Sequence, residues 1–274
     1  MPNTILRTVL PRRSRPRSRR RYALPERATS PSGGRFAIFE PTGYIGERSV
    51  SLLLCCHGAG ENESGPFDTN PWSRAVVQRA QDAGYLCASA LAEPLWPGAS
   101  WGNEQGIREY LDLLAHVTAR YDVSRTVLWG ASMGGLNALL LAERLPQAAG
   151  LVLMYPVCSL AAMYADAAPG GAAANAGNYN SLRAAHGIPA RNYEVATAGH
   201  DPLLMLPSAF RERRILMFHS RDDRAVLKAH HSDPFRARFA DTAAELTLIE
   251  TAGDHADASN WDWPAVSSFL QRCV

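Results

Sequence analysis

The chain lacks two features that would set it apart from ordinary globular proteins: a long apolar run and a cysteine motif. No window of the 274 residues approaches the roughly 18 uninterrupted apolar residues that a membrane-spanning helix requires. The five cysteines are odd in number and include no Cys-x-x-Cys pair. These absences exclude a disulfide scaffold and leave a metal site without support. We therefore expect free thiols and a cytoplasmic location.

Acidic residues are absent from the first 21 positions, which carry eight arginines. This like-charge run contains proline and serine, cannot bury apolar surface, and is predicted to be disordered. No apolar stretch follows it, as a secretory signal would require. We assign residues 1–30 to an Arg-rich tail and 31–274 to a folded domain. The tail is either a solvated extension, which we favour, or an arm that contacts nucleic acid or another anionic partner.

Beyond the tail, short apolar runs typical of strands alternate with longer patterns typical of helices. The run from Ser49 to Cys56 is apolar on both faces, as in a central parallel strand. The alternation predicts an α/β fold with a mostly parallel central sheet, helices on both faces, and ligand binding at the carboxyl ends of the strands. Residues 158–212 break the alternation, and their weak periodicity predicts a long lid-like insertion.

The strongest chemical signal is the sequence Gly130-Ala131-Ser132-Met133-Gly134. It follows an apolar strand and opens a helix, which is the setting of a Gly-x-Ser-x-Gly nucleophile elbow. Glycines at both ends allow the strand and the helix to approach closely. The serine hydroxyl then projects from the edge of the sheet, beside the amide groups of a helix N-terminus. We predict that Ser132 is a nucleophile.

This motif and the order of elements around it resemble those of the α/β-hydrolase family over about residues 35–274. The resemblance implies the α/β-hydrolase fold and a catalytic triad in the chain order Ser, Asp, His. It also implies that the acid follows a later strand and that the histidine follows the last strand. Chemistry of this kind requires no metal and no organic cofactor.

Candidates for the acid and the base occur where the resemblance requires them. Asp222 and Asp223 both follow a late strand, and the family's Gly-x-x-Asp spacing favours Asp223, although Ser220 occupies the glycine position. His255 matches the family's Gly-x-His placement after the last strand. His200 has a similar setting but precedes the acid, so we place it in the insertion, where contact with substrate is the minor alternative.

The resemblance also implies an oxyanion hole formed by two backbone amides. One is the amide of Met133, and the other is that of Ala59, with Gly60 as the alternative, in the loop after an early strand. His57 opens this loop and is interpreted as its anchor rather than as a base. The candidate substrate contacts flank the predicted site: Gly60, Trp96, Trp101, Tyr155 and His200. The two tryptophans either form a pocket wall or cover the edge of the sheet.

Together these features predict a serine hydrolase that cleaves a small carboxylic ester through an acyl-enzyme intermediate. A peptidase or an acyltransferase would use the same triad, and the fold does not choose between these activities. A non-catalytic ligand-binding protein of this fold, recruited by its tail to an anionic partner, is a third alternative. The intact triad pattern argues against it. The sequence leaves the oligomeric state open.

Overall fold

The computed structural model describes residues 26–29, 33–41, 43–44, 46, 48–69, 71–92, 99–188 and 193–273. The predicted disorder of the Arg-rich segment falls outside these residues except at its end, and Trp96 also falls outside them. All other residues predicted to form a site lie within the described ranges.

Across the residues that the structure describes, eight strands form one mixed sheet. They are β1 (Glu26–Thr29), β2 (Arg35–Phe39), β3 (Val50–Cys56), β4 (Tyr85–Ala90), β5 (Val123–Ala131), β6 (Ala148–Met154), β7 (Arg214–Ser220) and β8 (Glu245–Thr251). Their order across the sheet is β1-β2-β4-β3-β5-β6-β7-β8. β2 pairs antiparallel with β1 and with β4, and every other neighbouring pair is parallel. This arrangement confirms the predicted mostly parallel sheet.

Helices cover both faces of the sheet. They are α1 (Pro71–Asp82), α2 (Glu104–Thr118), α3 (Met133–Arg144), α4 (Leu160–Ala167), α5 (Ala176–Ala185), α6 (Tyr193–Ala196), α7 (Ser232–Phe239) and α8 (Trp263–Arg272). α1 and α8 belong to one apolar cluster, whereas α2, α3 and α7 belong to a larger one. Alternate residues of β3 divide between the two clusters, so the clusters lie on opposite faces. Within the described ranges, no helix combines the length and the apolar character of a membrane span.

The interior position of β3 explains its composition and helps to position the site. All seven of its residues are buried, because β3 lies between β4 and β5 and both faces of the sheet are covered. β3, β5, β6, β7 and β8 run in the same direction. The loops that follow these five strands therefore meet at one edge of the sheet, where ligands bind in α/β proteins.

The boundary predicted for the Arg-rich tail is wrong at its end. Residues 26–29, assigned to the tail 1–30, form β1 and pair with β2. Glu26 accepts two hydrogen bonds from the guanidinium group of Arg120, at 2.6 and 3.0 Å. The backbone ladder and this bidentate ion pair stabilise a segment that has no apolar alternation, so its sequence does not reveal a strand.

The insertion contains short helices, although its weak periodicity in the sequence did not predict them. It contains α4, α5 and α6, followed by 3₁₀ turns at Pro202–Leu204 and Pro207–Phe210. Ser159 and Asn175 cap α4 and α5, because their side chains accept hydrogen bonds from amides three residues later. Alanine favours such short helices, yet one to three turns of small residues show little amphipathic pattern.

All five cysteines are free and buried. Burial raises the pKa of each thiol above its ordinary value. The thiols therefore stay protonated and pack as small apolar side chains.

Candidate active site

Ser132 lies in the sharp turn between the end of β5 and the start of α3. Its φ of 55° and ψ of −121° form a conformation that residues with a side chain rarely adopt. A side chain at Gly130 would meet the carbonyl group of Gly134, and one at Gly134 would meet the carbonyl oxygens of Cys56 and His57. The close approach of β5, α3 and the end of β3 therefore requires both glycines. This turn has the geometry of a nucleophile elbow.

A chain of hydrogen bonds links Ser132 to residues in the loops after β7 and β8. Oγ of Ser132 lies 3.1 Å from Nε2 of His255. On the other side of the imidazole, Nδ1 of His255 lies 2.7 Å from Oδ2 of Asp223. Because β5, β7 and β8 are parallel, the loops after them converge at one edge of the sheet. The structure thus brings together the three residues predicted as a triad.

Asp223 is 2% exposed, and both oxygens of its carboxylate are hydrogen bonded. Oδ1 accepts from the amides of Ala225 and Val226, both at 2.9 Å. Burial would raise the pKa of Asp223, but hydrogen bonds from His219 and His255 outweigh burial and hold this pKa well below its ordinary value. The carboxylate is therefore ionised at neutral pH and can hold an imidazole in the tautomer with hydrogen on Nδ1.

Asp222, the competing candidate for the acid, occupies a different environment. Its side chain is exposed, and its amide donates a hydrogen bond to Oγ of Ser220 at 3.0 Å. Ser220, which replaces the family's glycine, is buried at the end of β7 and so takes part in the turn. Of the two aspartates, Asp223 is the one that contacts His255.

The loop after β3 lies next to the nucleophile elbow. His57 is fully buried, and its Nε2 donates to the carbonyl oxygen of Leu91 at 2.6 Å, which anchors the loop beside β4. Ala59 and Gly60 follow at the surface, with Gly60 at a φ of 83° that suits glycine. Met133 supplies the first amide of α3, which has no acceptor within the helix. The oxyanion-hole role of Met133 and Ala59 stays a prediction.

Comparisons with known proteins agree with this architecture. No family model and no curated protein matches the chain. An esterase from Pyrococcus furiosus superposes with a TM-score of 0.66 at 16% identity, over 92% of this chain and 93% of that one. An S-formylglutathione hydrolase from Agrobacterium tumefaciens gives 0.63 at 16% identity, over 90% and 91%. A thermostable esterase from Pseudomonas putida gives 0.62 at 14% identity, over 93% and 82%. This chain has the α/β-hydrolase fold.

Tyr155 lies directly beside the imidazole of His255. Its ring packs edge-on against His255, with ring centroids 4.6 Å apart, and edge-on against Trp261 at 6.2 Å. Its backbone has a φ of 37°, and its amide donates to the carbonyl oxygen of Phe218 at 2.7 Å. Burial raises the pKa of the phenol, so the hydroxyl group stays neutral. Tyr155 thus packs beside the His255 ring, and its contact with substrate stays a prediction.

Trp101 and His200 form hydrogen bonds that join the insertion to the segment after β4. Trp101 is buried, and its indole N–H donates to Oγ of Ser181 in α5 at 2.9 Å. The backbone amide of Trp101 lies 3.3 Å from Sδ of Met133. Nδ1 of His200 lies 2.8 Å from the carbonyl oxygen of Gly102. Trp101 is therefore buried between Met133 and α5, and His200 is not part of the nucleophile's hydrogen-bonded chain. Contact of either residue with substrate stays a prediction.

An ion pair that the sequence did not predict connects the loop after β7, which carries Asp223 and is called the acid loop here, to the loop after β8, which carries His255. Nε of Arg224 donates to Oδ2 of Asp254 at 2.8 Å, and the Arg224 amide donates to Oδ1 at 3.0 Å. The same Oδ1 accepts from the amide of His255 at 2.8 Å. The hydrogen bonds from Arg224, together with that amide, lower the pKa of Asp254 to about 2. In the sequence, Arg224 and Asp254 resemble ordinary surface residues, so no pattern predicted that they pair.

Two further histidines, His219 and His231, are fully buried near Asp223, and the sequence did not indicate that either belongs to the site. Nε2 of His219 lies 3.4 Å from the Asp223 carboxylate. Nδ1 of His231 accepts from the amides of Cys158 and Ser159, both at 3.2 Å. In the part of the chain that the structure describes, no group of three or more His, Cys, Asp or Glu side chains is arranged to hold a metal ion.

Proposed function

We propose that the protein is a serine hydrolase that cleaves a small carboxylic ester through an acyl-enzyme intermediate. The observation that carries this proposal is the continuous hydrogen-bonded chain from Ser132 through His255 to Asp223, at the nucleophile elbow. A hydroxyl group, an imidazole and a buried ionised carboxylate in this order activate a serine for attack on a carbonyl carbon. The esterases among the similar structures support an ester as substrate.

In the first half-reaction, Oγ of Ser132 attacks the ester carbonyl while Nε2 of His255, 3.1 Å away, takes the hydroxyl proton. The amides of Met133 and Ala59 stabilise the negative charge that develops on the carbonyl oxygen; one such donor contributes about 2.7–4 kcal/mol. The tetrahedral intermediate then collapses. The bond to the alcohol oxygen breaks, His255 returns the proton to the departing alcohol, and the acyl group stays on Ser132.

In the second half-reaction, a water molecule attacks the acyl carbon and gives a proton to His255. The bond to Oγ of Ser132 breaks, Ser132 regains its hydroxyl proton from the imidazolium, and the carboxylic acid departs. Asp223 remains ionised throughout, because its low pKa keeps the proton on the imidazole. Its negative charge stabilises the imidazolium that forms in each half-reaction.

The test combines a serine-directed probe with a chromogenic ester. A fluorophosphonate should label the purified full-length protein at Ser132, and p-nitrophenyl acetate or butyrate should be turned over. Ser132→Ala should lose the label and lower kcat by at least about 10³-fold, while its thermal unfolding shows that the protein is still folded. A wild-type protein that is neither labelled nor active on short esters would refute the proposal.

A substrate panel separates ester hydrolysis from the other reactions that the triad supports. An ester and an amide of the same acyl group should be compared, with and without an added alcohol acceptor. We expect the ester to react faster and water to be the main acceptor. A faster amide would indicate a peptidase, and efficient transfer to dilute alcohol would indicate an acyltransferase.

A further inference from the structure

His219 is a fully buried imidazole in β7 that the proposed reaction does not use. Its ring is held on both sides: Nδ1 lies 2.6 Å from Oγ of Ser232, the first residue of α7, and Nε2 lies 2.8 Å from the carbonyl oxygen of Val226. Nε2 also lies 3.4 Å from Oδ2 of Asp223. The imidazole therefore has a fixed orientation, with one nitrogen directed at the acid loop.

The partners of His219 determine where its proton resides. Nε2 faces two acceptors, the Val226 carbonyl and the Asp223 carboxylate, so it must carry the hydrogen. Nδ1 then accepts a hydrogen bond from the hydroxyl group of Ser232, which can rotate to donate. A neutral imidazole in this tautomer satisfies all these contacts and shares its N–H between Val226 and Asp223.

The oxygen of Asp223 that faces His219 is the one that binds the proposed base. Oδ2 accepts from Nδ1 of His255 at 2.7 Å, and the N–H of His219 approaches the same atom from the other side. Oδ1 is occupied by two backbone amides. The carboxylate therefore has fixed donors on both oxygens, and those on Oδ2 are both imidazoles.

We propose that His219 is a positioning residue, whose N–H orients Oδ2 of Asp223 toward His255 and limits how strongly that oxygen attracts the imidazolium proton. The inference rests on the proposed function, because it gives Asp223 and His255 their roles. A donor that shares Oδ2 reduces the negative charge available to His255. Without this donor, the carboxylate is less well oriented and holds the protonated form of His255 more tightly.

The other titratable or charged groups around the pair come from each neighbouring element: Tyr155, Cys158, Arg224, His231, Asp254 and His255. Burial lowers the pKa of His231 to about 3 and raises the pKa values of Tyr155 and Cys158, so these three groups are neutral. Arg224 and Asp254 are paired with each other. His255 is thus the group whose protonation responds to a change at His219.

The test compares two polar substitutions that differ in reach. His219→Gln places an amide N–H near the position of Nε2, whereas His219→Asn places one near Nδ1, where it can contact Ser232 but not Asp223. We expect His219→Asn to lower kcat on p-nitrophenyl butyrate by about ten- to a hundredfold, as for a lost hydrogen bond to a charged group. KM should change little. The acid-side midpoint, which is the pH at which kcat/KM has fallen to half its maximum on the acidic side of its pH profile, should move to higher pH. His219→Gln should keep much of the wild-type kcat and lie close to the wild-type midpoint.

His231→Asn is the matched control, because it also replaces a buried imidazole near the site but one that does not contact Asp223. It should leave the acid-side midpoint unchanged even if stability falls. Ser232→Ala keeps His219 but removes the hydroxyl group that binds its Nδ1. It should also move the midpoint to higher pH, but by less than His219→Asn. Thermal unfolding of each variant separates loss of fold from loss of rate.

Three results would overturn the inference while leaving the proposed function intact. In each of them the wild-type protein hydrolyses the ester and is labelled at Ser132. The first is an unchanged pH profile in His219→Asn or, if that variant does not fold, in Ser232→Ala. The second is an equal change in His219→Gln and His219→Asn, and the third is the same shift in His231→Asn. Failure of the wild-type protein to be labelled or to turn over esters would refute the proposed function instead.

Discussion

The proposed triad and the insertion are held in place by different means. Ser132, Asp223 and His255 lie one, three and four residues beyond the ends of β5, β7 and β8, so the parallel sheet determines their positions. The insertion is joined to the rest of the domain by side-chain contacts: hydrogen bonds, such as those from Trp101 to Ser181 and from His200 to Gly102, and apolar residues that belong to the larger cluster. The difference teaches that the three residues of the proposed triad and the insertion are positioned by separate sets of contacts. Substitutions can test this separation.

The largest contrast should come from two histidines, one in each part. His255→Ala removes the proposed base and should lower kcat by at least about 10³-fold. His200→Ala removes one hydrogen bond to the turn at Gly102 and should change kcat by less than about tenfold. Steady-state rates on the same p-nitrophenyl ester measure both effects. The reverse order would place the base in the insertion and contradict the separation.

The second contrast lies within the acid loop. Asp223→Asn should lower kcat by about 10³–10⁴-fold, because the amide no longer favours the tautomer that His255 needs. Asp222→Asn should stay within about twofold, because its side chain is exposed and surface substitutions have small effects. Since the pKa of Asp223 lies well below its ordinary value, the Asn variant should be impaired from mildly acidic to neutral pH. Equal losses in both variants would show that the acid is misassigned.

A moderate effect is expected where the insertion meets the sheet. Ser181→Ala leaves the buried indole N–H of Trp101 without its acceptor and should lower the free energy of unfolding by about 1–3 kcal/mol. The rate on a short ester should change little, because the triad does not depend on this contact. Ser208→Ala, at an exposed position of the same insertion, is the control and should be neutral within about 0.5 kcal/mol. A large kinetic loss in Ser181→Ala would mean that the two parts are coupled.

The smallest effect should come from removing residues 1–21. Every residue of the proposed site lies between positions 57 and 255, and distant sites usually act independently, so kcat/KM should stay within about twofold. The comparison should be repeated at low and high salt, because contacts of an arginine-rich segment weaken as salt increases. A large loss of turnover would show that the tail takes part in the reaction.

The parts of the fold that could be predicted are those whose signals are local. The sharp turn at Ser132 could be predicted because five consecutive residues contain all of it. The position of β3 could be predicted because a strand with apolar residues on both faces lies in the centre of a sheet. The pairing of Asp223 with His255 followed only from the order of elements in the resembled family. β1, the Arg224–Asp254 pair and the contact of His219 with Asp223 depend on which residues meet in space. Glu26 and Arg120, for example, are 94 positions apart.

The backbone of Ser132 sets the proposed activity against resistance to heat. At a φ of 55° and a ψ of −121°, a residue with a side chain carries about 1–3 kcal/mol of conformational strain that glycine avoids. Ser132→Gly and Ser132→Ala both lack the nucleophile, yet the glycine variant should unfold at the higher temperature. Stability alone would thus favour glycine at this position, whereas the proposed reaction requires the hydroxyl group of a serine.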